Sequence, residues 1–237
     1  VFFSCYLRFL LTFWWFYVII CFMNFGDNVP TEYFKGDALS KSTFLSTNIS
    51  TECVSQCRDA LWSLIDALEI SDFSRNFVKS CYLGLNGSFF VLPTSTGGKY
   101  HGGPFSPENS VGGLIHHYSR VLKVSERVLH RYQEIINREG LTSYNNYVEV
   151  LKVACLLHDL GRLGVDGCSL FSDKDHGFIG AGLVASTFNN GGLEFASSCP
   201  FEFYIFPLVY AIENHMYLWK FCNVWDQVLN PNESFVN

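Results

Sequence analysis

Positive charge is scarce in this sequence: 16 lysines and arginines stand against 22 acidic residues, for a net charge of −6. That balance excludes a surface that coats nucleic acid generally, while leaving a local basic pocket open. No Cys-x-x-Cys pair occurs among the nine cysteines. In a chain of 237 residues so sparse a set is not a disulfide scaffold, and reduced, partly buried thiols are the expected state. Cys53 and Cys57 are spaced for one helix face, and Cys155 sits inside an apolar run. Methionine is confined to Met23 and Met216. Internal repeats are absent, and no region alternates as strands do, apart from short ambiguous runs at Phe89–Leu92 and Phe201–Phe206. What these absences leave is an all-α chain, one sizeable domain or a domain with an appendage.

The apolar content, 49%, is enough to bury a core. Part of it lies in residues 1–26, an apolar N-terminal segment in which Phe9 to Phe22 carries no charge. That stretch is shorter than the roughly 20 residues a bilayer-spanning helix wants, and it lacks the small-residue cleavage site of a signal peptide. Translation is expected to begin at Met23, with residues 1–22 as upstream sequence or a partial anchor. Membrane contact is expected only if residues 1–26 are retained. Residues 27–50 turn polar and form an irregular lead-in, and residues 51–237 carry the helical domain.

Within that domain, Ser50-Thr51 caps a helix whose Glu52 suits the positive end of its dipole. Val54, Cys57, Leu61, Leu64, Ile65 and Leu68 follow at amphipathic spacing. Ser71 or Asp72 starts a second helix through Phe77, Val78 and Tyr82. Residues 83–110 are rich in glycine and proline and predict a long loop. Next comes a helix on which Leu114, His117, Tyr118, Val121, Val124, Ser125, Val128, Tyr132 and Ile135 share one face. His116 lies about 100° away from that face and His130 is off it as well. Glu139-Gly140 closes this helix, and a core helix spans Tyr147 to Leu160. After Gly161 come a short connection and a stretch from Asp175 to Val184 whose small residues allow close helix packing. Asn189 to Pro200 predicts a second loop. Pro207 is placed to start a last helix that carries Leu208, Ala211, Ile212, His215 and Trp219.

Chemistry concentrates at His158-Asp159, which the apolar run from Val153 delivers just before Gly161. Ionisable groups are rarely interred without a partner. His117, His176 and His215, lying 41 residues before, 18 after and 57 after His158, are the partners available. Neutral imidazoles and a carboxylate suit first-row divalent metals, and a helical bundle builds such a site from ligands on separate helices. A histidine on an apolar face is more often an ordinary core residue, so this spacing alone does not make a ligand set.

The run Gly112-Gly-Leu-Ile-His-His117, then Leu156-Leu-His158-Asp159-Leu-Gly-Arg162, His176 and Glu213-Asn-His215, resembles the HD-domain phosphohydrolase superfamily. The upstream piece Pro93-Thr-Ser-Thr-Gly-Gly-Lys99-Tyr-His101-Gly-Gly resembles the segment before the first metal histidine in phage and bacterial members, and is similar to HD-domain 3′–5′ exoribonucleases. The likeness covers about residues 50–225. It implies an HD-domain helical bundle over residues 51–237 with a metal site in its core, holding one or two divalent ions (Mn, Fe, Co, Ni or Mg). His117, His158 and Asp159 would hold the first, and Asp159 would bridge to a second bound by His176 and His215. Asp159 and Arg162 would be catalytic, and Lys99 and His101 would approach the phosphate or lie just behind the metal ligands.

The implied activity is a phosphomonoesterase or phosphodiesterase acting on nucleotides or nucleic-acid ends through a metal-activated water, in the cytoplasm, without stable binding of duplex nucleic acid. Two departures stand out. The family commonly has Lys where this chain has Arg162. Its last metal-binding Asp has no counterpart nearer than Asp226, 11 residues beyond His215. On one continuous helix that is about 16 Å along the axis. The expected reading is a chain truncated before its last ligand, with a helix break near Asn223 or an incomplete site as alternatives. The competing function is a catalytically silent HD module with a binding or regulatory role, and a third is a small protein anchored to a membrane through residues 1–26.

Overall fold

The computed structural model describes residues 50–94, 106–138, 144–164, 175–191 and 205–215. Six α-helices make up most of them, with two short 3-10 turns and, among the described residues, no strand. The all-α expectation therefore holds. The apolar segment 1–26, the lead-in 27–49, Lys99, His101, Trp219 and Asp226 lie outside the described residues. Among the described residues no helix is long and apolar enough to cross a membrane.

Helix α1, Thr51–Asp66, begins where Ser50 accepts a hydrogen bond from the Cys53 N–H at 3.1 Å. It buries Cys57, Leu61 and Ile65, with Val54 and Leu64 partly covered, as the amphipathic spacing predicts. Helix α2, Asp72–Leu83, takes Ser71 rather than Asp72 as its cap. Glu149 accepts from the Ser71 N–H at 3.1 Å and from the hydroxyls of Ser71 and Ser74. That carboxylate satisfies donors at the positive end of α2 and ties it to the core helix.

The glycine- and proline-rich stretch departs from the loop expected of it. Gly87–Val91 forms a 3-10 turn capped by Asn86, and Phe89, Phe90, Val91 and Leu92 are buried. These rings pack with Trp62 and Tyr82 into an aromatic cluster under α1 and α2. The second turn, Pro107–Asn109, lies against the start of α3, Gly113–Arg138. The strap from Val91 to Thr94 is stitched to that start. Gly112 N–H donates to Val91 O, Leu114 N–H to Leu92 O, and the Thr94 hydroxyl to Gly113 O, at 3.0, 3.1 and 3.0 Å. Gly112 makes the corner at φ 72°, a backbone region open to glycine at little steric cost.

The first half of α3 is buried more widely than one stripe. Leu114, His117, Tyr118, Val121, Val124, Ser125 and Val128 are buried as expected, but so are Ile115, His116, Leu122 and Leu129. His116 is thus a buried residue rather than a solvated one. Helix α4 spans Tyr144–Leu157, three residues earlier at each end than Tyr147 to Leu160. It takes the centre, with α2, α3 and α6 packed on it. Helix α5, His176–Asn190, lies against α2 and α6. Helix α6, the last among the described residues, covers Ile205–Asn214, so Pro207 is its third residue and not its first. A proline there still lacks only an N–H that has no partner within the helix.

Candidate metal centre

Four pieces of backbone converge below the end of α4. His117 projects from the second turn of α3, and His176 is the first residue of α5. His215 follows directly on the last residue of α6. His158 and Asp159 sit just past the last residue of α4, where the backbone tightens. His158 N–H still reaches Ala154 O at 3.0 Å, and then Leu160, Arg162 and Gly164 bond back only three residues, at 3.0, 3.1 and 2.9 Å. The turn ends at Gly164, φ 76°. The His-Asp pair is therefore displayed at the negative end of a helix dipole, an end that favours cations.

Glycine makes the convergence possible. A Cβ on Gly161 would lie 2.2 Å from His176 O and 2.5 Å from the Gly180 nitrogen, and one on Gly177 would lie 3.1 Å from His215 Nδ1. A side chain at Gly161 would hold α5, and His176 with it, away from Asp159.

The resulting arrangement has two halves that share one carboxylate. Asp159 Oδ2 lies 3.6 Å from His158 Nε2 and 4.0 Å from His117 Nε2. Oδ1 lies 3.3 Å from His176 Nε2 and 3.6 Å from His215 Nε2. Within each half the two imidazoles nearly touch, Nε2 to Nε2, at 3.2 Å for His117 and His158 and 3.0 Å for His176 and His215. All five residues are buried, none more than 8% exposed. A first-row metal bound at about 2.0–2.2 Å by nitrogen and carboxylate oxygen requires donor separations of about 3.0–3.4 Å. The observed separations run from 3.0 to 3.6 Å, except His117 to Asp159, which at 4.0 Å exceeds that range by more than half an ångström.

The protonation states point the same way. His158 Nδ1 is 2.8 Å from Cys155 O and His215 Nδ1 is 2.6 Å from Ile212 O. A carbonyl only accepts, so each Nδ1 donates, and the neutral ring of His158 presents its lone pair at Nε2. Burial lowers His158 to about 3 and His117 to about 4, against the partial opposition of Asp159, so both are neutral at physiological pH. Burial by itself would raise the Asp159 carboxyl. His158, Arg162 and hydrogen bonds from His176 and His215 outweigh it and hold the group well below the ordinary carboxylate value, hence ionised. An ionised carboxylate beside the neutral rings of His117 and His158 is a donor set that a divalent cation satisfies.

Of the residues singled out from sequence, the fold brings His117, His158, Asp159, His176 and His215 together. Two trios, His117 with His158 and Asp159, and Asp159 with His176 and His215, are each compact enough to hold one ion. Arg162 is adjacent, its Nη1 3.8 Å from Asp159 Oδ2, but its Nη2 donates to Thr94 O at 2.7 Å. His116 belongs to neither trio, and His130 is exposed. Lys99 and His101 lie outside the described residues. Two participants escape sequence reasoning. Thr94 anchors Arg162, and Glu108 places Oε2 3.3 Å from His117 Nδ1. Both lie in the glycine- and proline-rich stretch, where no periodicity marks an inward-facing residue.

Fold and site together define a class: an all-α protein whose core contains buried histidine and aspartate groups able to hold a metal ion. Comparison with family models, with curated proteins and with solved structures finds no match.

Proposed function

We propose that this chain is a metal-dependent phosphohydrolase of the HD-domain type that its sequence resembles, acting on phosphomonoesters or phosphodiesters of nucleotides or nucleic-acid ends. The observation that carries the reading is the position of Asp159, whose two oxygens each face a pair of imidazoles about 3 Å apart. When bound, divalent cations at such a site supply an acidified water as nucleophile and offset charge on the phosphoryl oxygens. Mn, Fe, Co, Ni and Mg all suit the reaction class, and the imidazole-rich donor set favours the transition metals over Mg.

The chain's own residues contribute the rest. Cys155 O and Ile212 O fix the ring orientations of His158 and His215. His117 and His158 stay neutral near pH 7, so they serve as lone-pair donors and not as the acid that protonates a leaving group. Arg162 is held by Thr94 O through Nη2, while its buried Nη1 makes no hydrogen bond among the described residues. That nitrogen is a fixed, permanently charged donor beside Asp159, suited to an anionic oxygen. Its commitment to Thr94 O also favours, as a second reading, a silent module in which Arg162 is a structural tie.

Elemental analysis of the purified protein, followed by a panel of nucleotides and a generic phosphodiester with each metal added back, tests the proposal. Bound metal with turnover that disappears in Asp159→Asn supports it. Bound metal without turnover of any phosphate ester supports the silent module. No metal bound under any loading condition refutes both.

A further inference from the structure

Glu108 is 4% exposed, and a carboxylate so deeply buried requires partners. Its two oxygens part company. Oε1 is 2.8 Å from Arg120 Nε, and Oε2 is 3.3 Å from His117 Nδ1, within ion-pair range but not aligned as a hydrogen bond. Arg120 sits three residues beyond His117 on α3, so one carboxylate spans successive turns of the same helix. The backbone that carries Glu108 is pinned from several directions. Its N–H donates to Ser106 Oγ at 3.3 Å, and its carbonyl accepts from Thr94 N–H at 2.7 Å. A Cβ on Gly113 would fall 2.0 Å from that same carbonyl oxygen, so only glycine lets the turn lie this close to α3.

The placement bears on a choice that His117 must make. His158 Nε2 carries a lone pair, because the ring is neutral and its Nδ1–H donates to Cys155 O. Were His117 protonated at Nε2, it would donate to His158 Nε2 across the 3.2 Å gap, forming a neutral pair with its metal-facing lone pair consumed. Protonated at Nδ1, it turns a second lone pair toward the first, an arrangement that only a cation between them relieves.

We propose, resting on the metal-site reading above, that Glu108 is the positioning residue of the centre: it accepts the Nδ1 proton of His117 and thereby keeps that half of the site poised for a metal ion. Arg120 supplies the counter-charge that keeps the carboxylate an acceptor. The arrangement is a carboxylate–histidine–metal relay, in which an outer partner of this kind typically contributes about 10–100-fold in metal affinity.

The test uses the full chain, stripped of metal by chelation, as wild type and as Glu108→Gln, which keeps the shape and removes the charge. Long-range 1H–15N correlation spectra of the imidazoles report the His117 tautomer, and titration with Mn(II) against a competing chelator reports affinity. The wild type is expected to hold His117 as the Nδ1–H tautomer. Glu108→Gln is expected to shift it toward Nε2–H and to weaken Mn(II) binding by about 10–100-fold, with an unchanged metal-free circular dichroism spectrum. An Nε2–H tautomer in the wild type, or undiminished affinity in the folded variant, overturns the proposal. If Glu108→Gln does not fold, the wild-type tautomer decides. A wild type that binds no Mn(II) overturns the metal-site reading instead, and the tautomer spectrum distinguishes that failure from this one.

Discussion

Acid should unfold the metal-free protein well before its carboxylates titrate. His117 and His158 have an ordinary pKa of 6.5, which burial in the folded state lowers to about 4 and about 3. Between those values the unfolded chain binds protons that the folded chain refuses, so stability falls as pH falls. Each such histidine costs about 1.4 kcal/mol per pH unit. Two histidines over the two units from pH 6.5 to 4.5 cost on the order of 5 kcal/mol, comparable to the whole stability of a small domain. The assay is urea unfolding followed by tryptophan fluorescence at pH 7, 5.5 and 4.5 with chelator present, in wild type and in His158→Gln. The variant removes one titrating ring, so its loss between pH 6.5 and 4.5 should be about half that of the wild type. Asp159 works in the opposite window, its stabilising contribution being complete above the ordinary value of 3.8 and lost only below it. A wild-type stability that is flat from pH 6.5 to 4.5, or a His158→Gln variant with the wild-type slope, would show that these rings are not buried as neutral lone-pair donors.

Asp159→Asn should abolish metal binding in both halves at once, because the same carboxylate faces both pairs of imidazoles, and it should cost the metal-free protein about 3–5 kcal/mol by leaving Arg162 buried without its counter-charge; calorimetric metal titration and thermal melts check the two effects separately. Gly161→Ala should lower both stability and metal affinity, since the new methyl meets the backbone of His176 and Gly180 at 2.2 and 2.5 Å and must push α5 from Asp159. His130→Ala, on an exposed position, should leave melting temperature and metal stoichiometry unchanged. His116→Ala should retain the metal but lose about 1–3 kcal/mol of stability, because His116 is buried outside both trios.

Much of this is legible in the chain because it is local. The stripe from Leu114 to Val128, the Ser50 cap with Glu52 behind it, and the apolar run that ends in His158-Asp159 depend on neighbours a few residues apart, and helical periodicity follows from such spacings alone. The small residues around Gly177 and Gly180 likewise announce a close helix contact. What required the tertiary structure is long-range. Helix α4 stops at Leu157, with the tightened turn beyond it packed against the start of α5 at Gly161, a contact no local pattern encodes. His116 is buried although it lies off the apolar stripe of its own helix, close to the buried Glu108 of the turn before it. Glu108 meets His117 and Arg120 only because that turn packs against the start of α3. Sequence supplied the imidazoles and the carboxylate; their common focus arises only once α3, α5 and α6 pack around the end of α4, where burial keeps His117 and His158 neutral.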